Sequence, residues 1–553
     1  MKMKNRLSPV ALLILFLSGC NPGNEQMTNP ADAITEEGIA NHIKALASDE
    51  FLGRKPFTEG EEKTVNYIKD EFEKLGLKPG NNGSYFQEVP MVEIDANVSE
   101  TMTITNGKNK LELGYKNDFV VLTRRVQEEI TVDRSEMIFV GFGIIAPEYD
   151  WNDYQGLDVA GKTVVMLVND PGFGGEDERF FKANTMTYYG RWTYKFEEAA
   201  RQGAEGVIII HETDPAGYPW AVVQTGWTGA QLYLKSEDNN MGRCAMEGWI
   251  TSEAAAEIFK VANKEGYDYN TEARNREFTA FSLGLLASVT MQNTLHTSTS
   301  KNVLAVAPGT SQADEYIIYS AHWDHMGVGD PVDGDSIWNG AVDNATGIAF
   351  LIEIAKVFTQ LEEKQKRSIL FLAVTAEEQG LLGSAYYAKN PVYPITKTAA
   401  NINMDALIPT GKMKDLTIIG HGHSEMDDYA KEAAEKQGRY ILPDTDPGKG
   451  YFFRSDHFNF AKVGIPALYA EGTYEQIEKG IEWAKEQRDD YTANRYHKPF
   501  DEYDASWDLS GAVMDTRLFF EIGYKISNES TFPQWKEGSE FKAKRDQDMA
   551  NSQ

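Results

Sequence analysis

The sequence predicts a mixed α/β fold, a mostly parallel sheet flanked by helices, with a β-rich insertion. Three observations carry that reading. The chain has 553 residues, and single hydrophobic cores stop growing near about 250–300 residues, so more than one domain is required. Beyond Thr294, short apolar runs alternate with helical stretches, the pattern of buried strands joined by crossover helices. Between 126 and 293, short strands are separated instead by Gly-containing turns. With 41% hydrophobic and 25% charged residues the composition is that of a folded protein, and disorder throughout is excluded.

At the amino terminus, Lys2, Lys4 and Arg6 precede the apolar run Pro9 to Leu17, a targeting pattern too short to span a bilayer. It ends in Leu17-Ser18-Gly19-Cys20, which resembles the lipobox of bacterial lipoproteins. The resemblance implies a signal peptide over 1–19, lipid on the Cys20 thiol, and a chain exported to the cell envelope and anchored to a membrane. The polar stretch after Cys20 suits a tether over 20–33. Next, Val65, Ile68, Phe72 and Leu75 fall at helical spacing between Thr58 and Leu77, with Gly76 as a stop signal. Residues 34–125 are expected to belong to the main domain.

In the insertion, strands are expected over Met137 to Phe142, Thr163 to Val168 and Gly206 to Ile210, with a helix around Phe196 to Gln202. Gly141-Phe142-Gly143-Ile144, Gly161-Lys162-Thr163-Val164-Val165 and Ala199-Ala200-Arg201-Gln202-Gly203-Ala204 make it similar to a protease-associated domain. The main domain resumes over 294–530. Val303 to Val306, Tyr316 to Ser320, Ile369 to Thr375 and Leu416 to Gly420 suit buried strands, and Gly347 to Phe358 and Ser424 to Gln437 suit helices. A tail over 531–553 closes the chain.

Lys and Arg total 54 against 84 Asp and Glu, a net charge of −30, and no basic stripe interrupts it. Nucleic acid is therefore excluded as a partner. The two cysteines, Cys20 and Cys244, exclude a disulfide framework and any Cys-rich metal site. A metal would have to be held by His and carboxylates.

Four clusters have the right residue types. Ala321-His322-Trp323-Asp324-His325 follows a strand, so that His322 can bind metal through one ring nitrogen while Asp324 accepts a hydrogen bond from the other or from a neighbouring ligand. Asn339-Gly340-Ala341-Val342-Asp343-Asn344-Ala345-Thr346-Gly347 is a turn feeding a helix, with Asp343 able to bridge two metals. Glu377 and Glu378 end an apolar strand, where like charges repel unless a cation sits beside them. Asp405 follows the strand ending Ile402-Asn403. In such folds, active residues gather beyond the carboxyl ends of strands.

In order and kind these clusters resemble the di-zinc peptidase family of aminopeptidase Y, bacterial leucyl-type aminopeptidases and glutamate carboxypeptidase. The resemblance implies a zinc exopeptidase-like fold, two zinc ions and peptide substrates. It implies that His322 and Asp405 serve different zincs, that Asp343 bridges, that Glu378 is a ligand and that Glu377 is the general base. A last His ligand is also implied, and Tyr496-His497 with Asp501 matches the family pattern better than Ser455-Asp456-His457. Tyr496 then becomes a hydrogen-bond donor to the developing oxyanion, and His457 and Arg454 fall in the substrate pocket. Arg454 either holds a substrate carboxylate or pairs with an acid. A water between the two metals would be acidified toward a pKa of about 7.

The implied reaction is removal of N-terminal residues. A carboxypeptidase or dipeptidase of the same family is the alternative, and a non-catalytic receptor on the same scaffold is the reading from another class. His325 is expected in a second layer or at the surface, and His421 and His423 in structural or pocket-edge roles. His42, His211 and His296 are expected to be structural, and Cys244 inert. The aromatics of Tyr188 to Trp192 and Tyr218 to Trp220 either overhang the cleft or pack as ordinary core. Oligomeric state is open.

Overall fold

The computed structural model describes residues 29–552. The lipobox, Cys20 and the apolar leader lie outside the described residues.

The main domain is built on the strand Gln312–His322, which runs parallel to Arg367–Val374 on one side and Thr398–Asn403 on the other. Thr398–Asn403 pairs in parallel with Ala467–Glu471. Asp415–Ile418 joins antiparallel to Ala467–Glu471 and carries Tyr440–Pro443 in parallel. On the opposite edge, residues 303–307 run antiparallel to Arg367–Val374. The sheet is mostly parallel, as expected.

Residues 317–321 and 369–374 of its central strands are buried because both faces of the sheet are covered. Along Arg367–Val374, Ile369, Phe371 and Ala373 enter the larger core, whereas Leu370, Leu372 and Val374 enter a smaller one with Tyr387 and Phe460. The larger core is covered by the helices Glu36–Leu46, Thr346–Gln360 and Ser510–Asn528. The expected helix near residue 60 spans Glu59–Lys74, with the Thr58 hydroxyl accepting from the Gly60 amide. It buries Val65, Ile68 and Phe72.

The insertion is a second body with its own cores. Strands Glu129–Phe139, Thr163–Leu167, Gly206–His211 and Met246–Thr251 pair in parallel, and Phe119–Leu122 closes the edge antiparallel to Met246–Thr251. Its limits differ from those expected at 126 and 293. Val98, Met102, Ile104, Leu113, Phe119 and Val121 pack into the insertion core, so that body begins near Val98. At the other end, Phe281–Ala307 is one 27-residue strand, pairing with Glu129–Phe139 early and with Phe86–Val98 later. A continuous strand carries no composition break from which a boundary can be read.

Residues 531–552 are not a loose tail. Trp535 and Phe541 are buried with Phe452, Phe453 and Phe458, and the Trp535 indole donates to the Gly464 carbonyl at 2.8 Å. In the helix Lys542–Asn551, Arg545 donates to the carbonyls of Ile395 and Thr398.

Among the described residues, two ion pairs fasten the insertion to the rest. Lys182 meets Glu540 at 2.9 Å, and Glu197 meets Lys462 at 2.6 Å. Burial pushes Glu540 up, but Lys182 and His423 outweigh it and hold the carboxyl at about 2. Burial acts likewise on Glu197, and Lys462 with the Tyr188 hydroxyl brings it to about 2. A depressed carboxylate contributes stability above its unfolded value of 4.5 and loses it as pH falls toward 2. Acidification across that window should therefore loosen the insertion, read as faster hydrogen exchange along its contact with the main domain. Glu540→Gln should already be destabilised at pH 7, by about 2 kcal/mol, with a shallower slope in acid. An unchanged slope would remove Glu540 from this account.

Candidate active site

The chemistry-bearing side chains converge beyond the carboxyl ends of the parallel strands. His322 is the last residue of Gln312–His322, Glu377 and Glu378 follow Arg367–Val374, and Asp405 follows Thr398–Asn403. Asp343 lies in the turn Ala341–Ala345 that enters the helix Thr346–Gln360.

His322 Nε2 lies 3.2 Å from Asp405 Oδ1 and 3.3 Å from Asp343 Oδ1. His497 Nε2 lies 3.3 Å from Asp343 Oδ2 and 3.1 Å from Glu378 Oε2. The two oxygens of Asp343 thus face two different groups. His322, Asp343 and Asp405 together form one candidate metal group. This corrects the expectation that His322 and Asp405 serve different metals. Which ligands share an ion depends on how the chain turns after Asn403, and motif order does not record that.

His325 is fully buried, with Nδ1 2.6 Å from Glu378 Oε1. A surface position is thereby excluded, and His325, Asp343 and Glu378 form the second candidate group. Its Nε2 has no hydrogen-bond partner among the described residues. His497 reaches the same acids from the other side, from a left-handed backbone at φ 52° that few non-glycine residues adopt. Tyr496 stacks on its ring at a centroid distance of 3.9 Å.

Of the two roles expected of Asp324, a bond to His322 or to a neighbouring ligand, the carboxylate takes the second, lying 3.8 Å from His322 Nδ1. His322 Nδ1 is 3.2 Å from the main-chain oxygen of Asp324. The Asp324 carboxylate instead accepts from the amides of Glu377 and Glu378, at 3.0 and 3.3 Å. It is a positioning residue for the two glutamates. The Glu377 carboxylate accepts no hydrogen bond among the described residues, and burial, with Asp405, Glu378 and Asp456 nearby, raises its pKa well above the usual range despite the charge of His322.

Several supporting residues carried no signal in the sequence. Arg54 is buried and donates from Nε to the carbonyl of Trp323, from Nη1 to those of Leu46 and Asn339, and from Nη2 to those of Gly340 and Asp343. Burial lowers it to about 10 even though Asp501, Asp343, Asp324 and Glu378 oppose the shift. Asp501, noted only as the acid after the Tyr-His pair, accepts from the amides of Val342 and Asp343. Beneath Asp405 a chain of donors runs from Asn401 to Ser320, to Asn403, to Ser455 and then to Asp405 Oδ2. Lone polar residues in apolar or loop segments have no spacing by which to find them.

The donor set fits cations. Burial pushes the His322 imidazole down, yet Asp405, Glu377 and Asp343 overrule it and hold it well above the usual range. That density of negative charge calls for positive partners, and imidazole with carboxylate oxygen suits zinc.

Other expected positions divide. Arg454 lines a cleft of about 930 Å³ together with Glu377, Glu378, Tyr496 and His497. Its guanidinium donates to the Lys449 carbonyl and lies over the Tyr451 ring, and no acid pairs with it among the described residues. His457 does not reach the cleft. It is fully buried between Phe452 and Tyr469, and burial lowers its pKa to about 3. Its motif neighbour Ser455 is the one that touches Asp405. From the insertion, Arg191, Trp192 and Tyr218 line the cleft, whereas Tyr188 and Tyr189 pack among buried aromatics. His423 stacks on Phe452, and His211 bonds the Tyr218 carbonyl. Cys244 is buried, which raises its thiol to about 12.

Residues 302–520 match the model of Peptidase family M28. That span holds His322, Asp343, Glu377, Glu378, Asp405 and His497, while Arg54 and the insertion residues lie outside it. This part of the chain is similar to M28 zinc metallopeptidases, among which aminopeptidases are found. Aminopeptidase NAALADL1 of Mus musculus is 35% identical over 131 residues, 23% of this chain and 16% of that protein. A probable zinc metalloprotease of Pyrenophora teres f. teres (strain 0-1) is 34% identical over 119 residues, 22% of this chain and 25% of that protein. The chain therefore spans a quarter or less of the length of these curated relatives. Among solved structures, the aminopeptidase from Aneurinibacillus sp. strain AM-1 aligns over 91% of this chain and 96% of its own, at 20% identity and a TM-score of 0.46. BSAP, a zinc aminopeptidase from Bacillus subtilis, aligns over 92% and 97%, at 17% identity and a TM-score of 0.42.

Proposed function

We propose that the protein is a zinc-dependent exopeptidase, an aminopeptidase that removes N-terminal residues from peptides. The observation that carries this reading is Asp343, whose two oxygens face two His-carboxylate groups while the Glu377 carboxylate stands beside them without a hydrogen-bond partner among the described residues. His322, Asp343 and Asp405 would hold one zinc. Asp343, Glu378 and His497 would hold the other, with His325 seated against Glu378. Zinc at these positions supplies an acidified water and polarises the scissile carbonyl.

The chain's own groups do the rest. Glu377, which lines the cleft beside the candidate metal groups, would take the proton from the attacking water and return it to the leaving amine. Tyr496, in the cleft beside His497, donates to the oxygen that becomes negative. The surplus of carboxylates suits the positive amino terminus of a peptide. In this reading the chain is exported and anchored through lipid on Cys20, and works in the bacterial cell envelope.

Aminoacyl p-nitroanilides should be hydrolysed and their N-acetylated forms should not. The purified protein should contain two zinc ions per chain by elemental analysis, chelation should abolish turnover, and added zinc should restore it. A protein without zinc, or one active on blocked amines alone, overturns the aminopeptidase reading. The carboxypeptidase reading stays second because Arg454 lines the cleft without an acid partner. Comparing an N-blocked with a C-blocked dipeptide separates the two.

A further inference from the structure

We propose that His325 is a positioning residue for one of the two metal sites, holding one oxygen of Glu378 so that the other oxygen alone is presented to the ion that Asp343 and His497 also face. The proposal rests on the zinc reading of the site and deepens it, because it separates the groups that touch that metal from the one that sets how tightly it is held.

Spacing makes the distinction. Donors that share a tetrahedral zinc at about 2.0–2.1 Å stand about 3.3 Å apart. His322 Nε2 has that spacing to Asp405 and Asp343, at 3.2 and 3.3 Å, and His497 Nε2 has it to Asp343 and to Glu378 Oε2, at 3.3 and 3.1 Å. His325 Nδ1 lies only 2.6 Å from Glu378 Oε1. Two ligands of one ion do not come that close, whereas a hydrogen bond to a charged oxygen does. A carboxylate only accepts, so Nδ1 carries the proton. His325 thus donates to a ligand and is not itself one.

The ring is held for this contact. His325 is fully buried, and its Nε2 has no hydrogen-bond partner among the described residues. Its amide donates to the Arg54 carbonyl at 3.4 Å. Gly340, at φ 57°, packs against the ring, and a Cβ there would come within 2.6 Å of Cγ and Cδ2. The His497 ring meets it edge-on, with 5.9 Å between centroids. One residue earlier, the Asp324 carboxylate accepts from the Glu378 amide. Asp324 and His325 therefore fix the two ends of Glu378, its main chain and its carboxylate.

The terminal torsion of an unrestrained glutamate turns easily. Left alone, Glu378 could offer either oxygen, or both, to the same ion. The bond from His325 removes that freedom before a metal arrives. Loss of such an outer partner costs about 10–100-fold in metal affinity.

Zinc is titrated into the metal-free full chain in competition with a chromophoric chelator, which reads two constants without turnover. His325→Gln carries its amide donor where Nε2 was, out of reach of Glu378, and should weaken one constant by about 10–100-fold while the other stays within about threefold. His325→Asn places its donor where Nδ1 was and should restore most of the loss. In a His497→Ala background, which already lacks a ligand of that site, His325→Gln should leave the remaining zinc unchanged. A packing role alone predicts instead that the smaller asparagine does more damage and that both constants move together. If the glutamine variant does not accumulate, His325→Leu is read against asparagine in its place. Constants unaltered in the variant without the donor, or falling equally at both sites, overturn the positioning role. The predicted pattern at two zinc ions, with no peptide hydrolysed by the unaltered protein, would keep that role and sink the peptidase reading.

Discussion

Glu377→Gln should lower kcat by about a thousandfold and leave zinc content and thermal stability at the parent level. General-base catalysis is worth about 10²–10⁴ in rate, and no other side chain stands ready to take over here. Asp324 is engaged with the two glutamate amides, Glu378 is held by His325 and His497, and Asp405 by Ser455 and His322. Asp456, near Glu377, accepts from Ser384 through Oδ1, and its Oδ2 is buried away from the cleft-lining residues. The substitution is close to isosteric, and the main-chain amide that Asp324 holds is unchanged. The Glu377 carboxylate makes no hydrogen bond to lose, and its charge is disfavoured by burial and by neighbouring acids, so the amide should not destabilise the fold. Steady-state kinetics, elemental analysis and a thermal melt on one preparation decide it. A rate within tenfold of the parent would assign the base elsewhere.

Glu377, Glu378 and Asp405 were legible because each follows a buried strand that stops abruptly, and Asp343 because it sits in a turn feeding a helix. Ile369 to Thr375 ends in Glu377-Glu378, and Ile402-Asn403 runs into Met404-Asp405. An acid at such a place is conspicuous, since burial penalises it unless something compensates. Which acids meet was not legible, because it is set by the crossing of separate loops. His322 and Asp405 share a group only through the way residues 404–406 turn back over the turn at Asn344, whose amide side chain bonds the Met404 carbonyl. His325 was underrated for a related reason, as the bend after Asp324 turns its ring inward to Glu378. The sheet order followed from alternating apolar runs. The limits of the insertion did not, because one strand serves both bodies. Trp535 and Phe541 show that two aromatics in a polar stretch are enough to dock a chain end.

Arg54→Met should destabilise the main domain by about 4 kcal/mol or more, the largest stability effect of any single change at the site. Five carbonyls from Leu46, Trp323, Asn339, Gly340 and Asp343 converge on one guanidinium. Each buried carbonyl left without a donor costs about 1–3 kcal/mol, and methionine supplies none. Arg54→Lys keeps the charge but offers a compact donor in place of a planar fork, so it should recover part of the loss while remaining at least about 2 kcal/mol less stable than the parent. The lysine variant keeps the effect measurable if the methionine variant fails to accumulate. Urea unfolding gives both numbers, and a loss below about 1 kcal/mol for methionine would show that the loop carbonyls find other donors. The same experiment separates charge from geometry. In metal-free protein Arg54 joins His322 and His497 as a cation facing these acids, Asp501, Asp343, Asp324 and Glu378 among them, and bound zinc would take over much of that neutralisation. The cost of Arg54→Met should therefore be larger without zinc than with it, whereas a purely geometric role predicts equal costs in the two states.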